Sequence, residues 1–151
     1  MSKEPLLRGV DLKKSYPGPG VVEVLKGINL EVSSGELVGI VGPSGSGKST
    51  LMHLLGGLDA PSQGEVRFQG DSLYRMSDTA ISRVRNQAFG FVFQFYHLVP
   101  ELTALENVML PAWMVGFDRP KPEVKREATQ LLEAVGLSNR LEHAPSQLSG
   151  G

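Results

Sequence analysis

After Gly27, the apolar residues Ile28, Leu30 and Val32 alternate with Asn29, Glu31 and Ser33, the period of a strand buried on one face. The "YPGPG" stretch at 16–20 is turn chemistry, so the first 35 residues read as an antiparallel, hairpin-like pair. "ELVGIVG" at 36–42 has a different character. Leu37, Val38, Ile40 and Val41 follow without alternation, as expected of a strand covered on both faces in an α/β core. A glycine-rich loop comes next, then "KSTLMHLLGGL", a helix that the Gly56–Gly57 pair should end. "EVRFQG" at 65–70 alternates again, residues 78–86 carry a helical pattern, and "FGFVFQ" at 89–94 returns to a short buried strand. From Thr103 the chain reads as helical. Thr103-Ala104-Leu105-Glu106 is a capping box, in which the threonine hydroxyl accepts the Glu106 N–H and the glutamate reaches back to the Thr103 N–H. Pro111 should kink or end that helix. A second helix carries Val124, Ala128, Leu131, Leu132 and Val135 on one stripe, and Gly136 suits its C-terminal cap. The pattern is α/β. Residues 1–95 read as a β subdomain plus a loop-bearing core, and 96–151 as a helical subdomain.

Composition narrows the picture more than it adds to it. Apolar residues make up 40% and charged residues 21% of the 151, an ordinary globular balance with enough chain for one core. The formal charge of −1 gives no electrostatic case for nucleic acid or for an anionic membrane surface. With no cysteine there is no disulfide framework and no thiolate metal site, which fits a cytosolic protein. "MSKEPLLRGV" lacks the apolar core of a signal peptide, and "NVMLPAWMVGF", 11 residues broken by a proline, is far too short to span a bilayer. His53, His97 and His143 are too scattered to suggest a metal site, and Arg83, Arg85, Lys121, Lys125 and Arg126 read as solvated helix faces.

The strongest chemistry is "GPSGSGKST", which matches G-x-x-x-x-G-K-[ST] and lies between the expected buried strand and the expected helix. A phosphate needs several donors on a concave surface. Gly42, Gly45 and Gly47, with Pro43, Ser44 and Ser46 between them, let successive backbone N–H groups point inward. The helix start adds its positive dipole end. Lys48 supplies a point charge for the β- and γ-phosphates, Ser49 a hydroxyl for Mg²⁺, and Thr50 completes the motif. The loop alone leaves kinase, GTPase, motor and transporter ATPase open.

Three further features in fixed order resemble the nucleotide-binding domain of ABC-type ATPases. Tyr16 stands where that family keeps an aromatic to stack on adenine, although a half-buried hairpin tyrosine would look the same. Gln94, ending "FGFVFQ", resembles the glutamine that reaches Mg²⁺ and the attacking water and senses the membrane subunits. "LSGG" at 148–151 matches the start of the family's signature, in which Ser149, Gly150 and Gly151 would face the nucleotide held by a second subunit. Within the family, "FQFYHLVPELTALENVMLP" looks like the group of LolD-like lipoprotein-releasing ATPases and the MacB and FtsE types, the LolD-like ones most of all. There Tyr96, His97, Leu98 and Val99 would form the surface that couples to a membrane subunit, or would simply pack the helical part on the core.

The resemblance implies a P-loop NTPase core with an N-terminal antiparallel β subdomain and the start of an α-helical subdomain. It also implies ATP and Mg²⁺ as cofactors, Lys48 and Gln94 as catalytic groups, and Ser49 and Gln94 at the metal. The implied setting is a homodimer of such subunits beneath transmembrane permease subunits, on the inner face of the cell membrane. No four-residue apolar run is followed by two acidic residues, and Asp59 after "GGL" and Asp118 after "VGF" are poor substitutes for that family feature. The chain thus resembles the first two thirds of such a domain, its last third missing, and is expected to be inactive and poorly stable alone. Three rivals stand beside this reading, one of them a non-catalytic binding module. A small-molecule P-loop kinase would make "LSGG" coincidental, and an ABC-type ATPase of DNA repair would need a coiled coil that the segment between Gln94 and Ser149 does not carry.

Overall fold

The expected hairpin is the nucleus of a larger antiparallel sheet. In the computed structural model, which describes residues 4–18, 20–114 and 120–149, strand β1 (Leu7–Tyr16) pairs with β2 (Val22–Val32), Leu7 lying opposite Val32 and Tyr16 opposite Val22. The other edge of β1 takes β3 (Gln63–Phe68), and β3 takes the two-residue β4 (Asp71–Ser72), giving the order β2-β1-β3-β4. The register slips near Asp11, whose φ is +44°, and its N–H is taken up by Asn29 Oδ1 at 2.9 Å. Opposite that irregularity only glycine fits: a Cβ on Gly64 would collide with the Val10 and Asp11 carbonyls.

Helix α1 (Lys48–Leu55) lays Leu51, Leu54 and Leu55 against Leu12, Leu25 and Val66 of the sheet, and Leu73 and Ile81 complete this core. The Gly56–Gly57 pair ends α1 as expected. Gly57, at φ +70°, directs its N–H to the Leu54 carbonyl while Leu58 N–H returns to His53, the two bonds of a Schellman turn. Helix α2 (Asp78–Ala88) closes over that end, with Ser77 capping its own start through the Ala80 N–H. Arg85 on α2 is not the solvated residue expected of it. Its guanidinium donates to the Gly57 carbonyl at 2.7 Å, because the negative end of α1 is exposed to it there.

The chain divides into two units, Met1–Phe89 and Gly90–Gly151. In the second, α3 (Ala104–Trp113) and α4 (Lys121–Ala134) share a core of Ala104, Leu105, Met109, Val124, Ala128 and Leu132. The capping box is complete, Glu106 N–H to Thr103 Oγ1 at 3.2 Å and Thr103 N–H to Glu106 Oε2 at 2.8 Å. Pro111 does not stop α3, which runs two residues further. The apolar stripe of α4 is narrower than its periodicity suggested, since Leu131 and Val135 are exposed while Val124, Ala128 and Leu132 are buried. Gly136 caps α4 at φ +78°, with Leu137 N–H on the Leu132 carbonyl. Among the described residues no helix is long and apolar enough to cross a membrane.

Two expected strands do not form. Residues 36–42 and 89–94 run without a ladder, with Leu37 98% and Val41 91% exposed. An unbroken apolar run becomes a buried strand only where neighbours supply backbone partners and cover both faces, and none of the described strands does so here. The tendency survives locally. Phe91 and Phe93, two residues apart, stack with ring centroids 5.5 Å apart, as extended backbone allows.

Candidate functional site

The loop from Gly42 to Thr50 is shaped by glycines that no other residue replaces cheaply. Gly42, Gly45 and Gly47 have φ of +154°, +78° and +88°. At Gly47 a Cβ would also meet Leu25 Cδ2 at 2.9 Å and the Val24 carbonyl oxygen at 3.2 Å, so the loop is pressed onto β2. Gly47 is the N-cap of α1, and the first intrahelical bond runs from Leu51 N–H to the Gly47 carbonyl at 2.8 Å. No side chain caps this helix and no acidic residue sits in its first turn. The N–H groups from Gly47 to Thr50 therefore form a donor set with no partner inside the helix.

The cation of the site is held against the same loop. Lys48 Nζ donates to the carbonyls of Gly42 at 2.9 Å and Pro43 at 2.7 Å, with Ser46 Oγ at 3.4 Å. A hollow of about 250 Å³ opens beside it, lined by Val24 of β2, Ser44 and Gly45 of the loop, and the first turn of α1 through Ser49 and Thr50. Backbone donors, a helix dipole and an ammonium converge on one concave place. That is what an oxyanion with several charged oxygens requires.

Tyr16 belongs to the same unit. It sits opposite Val22, and Val24 lies two residues further along β2, where the register shifts between Lys14 and Ser15. The ring is 37% exposed, and its hydroxyl donates to Asp59 Oδ2 at 2.9 Å. Asp59 also accepts from Lys14 Nζ at 2.6 Å. Burial pushes the Asp59 carboxyl up, but the hydrogen bonds from Lys14 and Tyr16 and the lysine charge outweigh it and hold the group below its usual range. Neither Asp59 as a partner of Tyr16 nor Val24 as a wall of the hollow was read from the sequence. The hairpin turn at "YPGPG" was the available signal for Val24, since it brings the residues just after the turn beside Tyr16; nothing in the pattern announced Asp59.

The remaining expected residues lie in the second unit. Gln94 is exposed on the unpaired stretch after Phe93. Ser149 is exposed just after a 3₁₀ turn (Pro145–Gln147), while its neighbour Leu148 packs on the core of α3 and α4. Gly150 and Gly151 lie outside the described residues. Tyr96 and Leu98 are exposed, and His97 has a φ of +49° and meets the Phe93 ring edge-on at 4.9 Å. Val99 is half-buried and exchanges two hydrogen bonds with Asn107, at 2.8 and 3.1 Å. Among the described residues no three acidic or histidine side chains gather as a metal site. Within the loop the Ser49 hydroxyl is a hard oxygen donor of the kind that joins phosphate oxygens around Mg²⁺.

The comparisons with known proteins agree with this geometry. A family model described as ABC transporter matches residues 25–151. The lipoprotein-releasing system ATP-binding protein LolD of Pseudomonas fluorescens (strain Pf-5) is 55% identical over 152 residues, covering 100% of this chain and 66% of the relative. An uncharacterized ABC transporter ATP-binding protein of Thermotoga maritima is 54% identical over 143 residues, covering 94% of this chain and 60% of its own length. Among solved structures, the dimeric post-hydrolysis state of the ATP-binding cassette MJ0796 bound to ADP and Pi has a TM-score of 0.86 at 37% identity, covering 95% of this chain and 63% of that one. The chain spans about two thirds of the length of these relatives. Loop, sheet, helices and sequence lead to one family: the chain belongs to the ABC transporters and has the fold of their ATP-binding cassette.

Proposed function

We propose that the chain is part of the ATP-binding subunit of an ABC transporter of the lipoprotein-releasing type. The observation that carries the nucleotide assignment is the uncapped start of α1, with Lys48 folded onto the Gly42 and Pro43 carbonyls beside it. An incoming triphosphate takes the free N–H groups from Gly47 to Thr50 and draws the ammonium off two neutral acceptors onto charged ones. Ser49 offers its hydroxyl, and with Gln94 would hold Mg²⁺, which offsets charge on the β- and γ-phosphates when bound. Tyr16 gives the base a π-face, and Val24 gives it an apolar wall.

The rest of the reading rests on kinship. The 55% identity to LolD of Pseudomonas fluorescens and the dimeric cassette of MJ0796 support a working unit of two cassettes beneath membrane permease subunits, at the inner face of the membrane. In it Lys48 and Gln94 serve hydrolysis, and Ser149, Gly150 and Gly151 close on the partner's nucleotide. Residues 1–95 act as the nucleotide-holding subdomain. Residues 96–151 act as the helical subdomain that meets the membrane partner, through Tyr96, His97, Leu98 and Val99.

Calorimetric titration with Mg·ATP tests the first part. Saturable binding that Lys48→Ala clearly weakens is expected, and equal binding by both proteins would overturn it. For the second, a membrane permease that associates with this chain should co-purify with it, and substitution of Tyr96 or Leu98 by Asp should break that association.

A further inference from the structure

We infer that Lys14 and Asp59 are positioning residues that hold Tyr16 as a one-sided platform for a nucleobase; the inference rests on the nucleotide reading above. Lys14 and Tyr16 are two apart on β1 and so share a face. Lys14 Nζ stands 4.9 Å from the centroid of the Tyr16 ring, covering one of its two faces. That ammonium is not free to leave. It is fixed by Asp59 Oδ1 at 2.6 Å and by the Ala60 carbonyl at 2.7 Å, and its side chain is only 12% exposed. The far end of the ring is tied as well, since the Tyr16 hydroxyl donates to the other carboxylate oxygen of Asp59 at 2.9 Å.

One carboxylate therefore fixes both the ring and the cation behind it. A tyrosine on a strand end otherwise turns about two torsions, and stacking a base would have to stop that motion. Here the rotation is arrested beforehand. The lysine also draws π-electron density toward the covered face, which lowers the repulsion that the other face presents to the π-cloud of a base. Lys14 has no part in holding phosphate, because its charge is already matched by Asp59.

A plain structural staple, tying β1 to the turn after α1, would use the same contacts. Binding of two probes separates the cases: ATP, which has a base, and inorganic tripolyphosphate, which has only the charge that the loop reads. Tyr16→Ala is expected to weaken ATP about tenfold. Lys14→Met and Asp59→Asn are expected to weaken it about threefold each, Lys14→Arg to restore it, and all four to leave tripolyphosphate unchanged. Loss of both probes in parallel in Lys14→Met and Asp59→Asn means a staple and overturns the inference. So does unchanged ATP binding in those two while Tyr16→Ala weakens it, and in that case the stacking role of Tyr16 stands. Unchanged ATP binding in Tyr16→Ala removes the stacking role itself, and the inference with it.

Discussion

Lys48 spends its charge on two loop carbonyls, so its removal costs the free loop little and the bound state much. Lys48→Ala is expected to lose about 1.5–3 kcal/mol of triphosphate affinity, measured by calorimetry, with thermal unfolding of the ligand-free chain barely moved. Gly47→Ala should behave in the opposite way. A side chain there must adopt φ +88° and press on Leu25 and Val24, so unfolding in urea should show a loss of about 1–3 kcal/mol. The phosphate loop was legible at this scale because its chemistry is local: the glycines, the lysine and the helix start occupy nine consecutive positions. Asp59 was not legible, because its meaning comes from Lys14 and Tyr16, which reach it only once β1 lies beside the turn after α1.

Caps and turns that depend on neighbours in sequence came through intact at the scale of elements, among them the Thr103 box and the glycine ends of α1 and α4. What needed a distant partner did not. Arg85 looked solvated until α2 met the end of α1, and "ELVGIVG" looked like a strand although none of the described strands pairs with it. Asn107 shows the same dependence from the other side. Its amide lies within hydrogen-bond reach of the carbonyls of Val99, Leu102 and Thr103 and also accepts the Val99 N–H, so one side chain shapes the approach to α3. Asn107→Leu should cost about 1–3 kcal/mol and speed amide exchange at Val99. Tyr74 gives the elements of the first unit a pH limit. Its hydroxyl lies against the carbonyls of Leu54 and Asp59, and burial, with the nearby Asp59 charge, pushes its pKa up to about 12. A raised pKa means that the folded state holds the proton more tightly. The contribution is complete below the ordinary tyrosine value of about 10 and is lost as pH rises toward about 12. Urea midpoints of wild type and Tyr74→Phe should therefore differ at pH 7 and converge above that range.

At the scale of the whole chain, the apolar residues left uncovered matter most. In the first unit Leu37 and Val41 stand almost fully exposed on a stretch without strand partners, and in the second Val92 does the same between two stacked phenylalanines. Such segments are apolar and uncharged at these positions and rich in β-branched or aromatic residues, the composition of an aggregation-prone edge. They differ from scattered surface leucines because each is contiguous and lacks a gatekeeping charge within it. The 151-residue chain alone is therefore expected to self-associate as its concentration rises, through strand addition rather than through a defined dimer face. Light scattering should show a mass that grows with concentration, and infrared spectra should gain intermolecular β-signal as it does. Leu37→Lys with Val92→Lys should suppress both while leaving triphosphate binding at the loop intact, because neither residue lines the hollow beside Lys48. A wild-type chain that stays monomeric at high concentration would overturn this expectation.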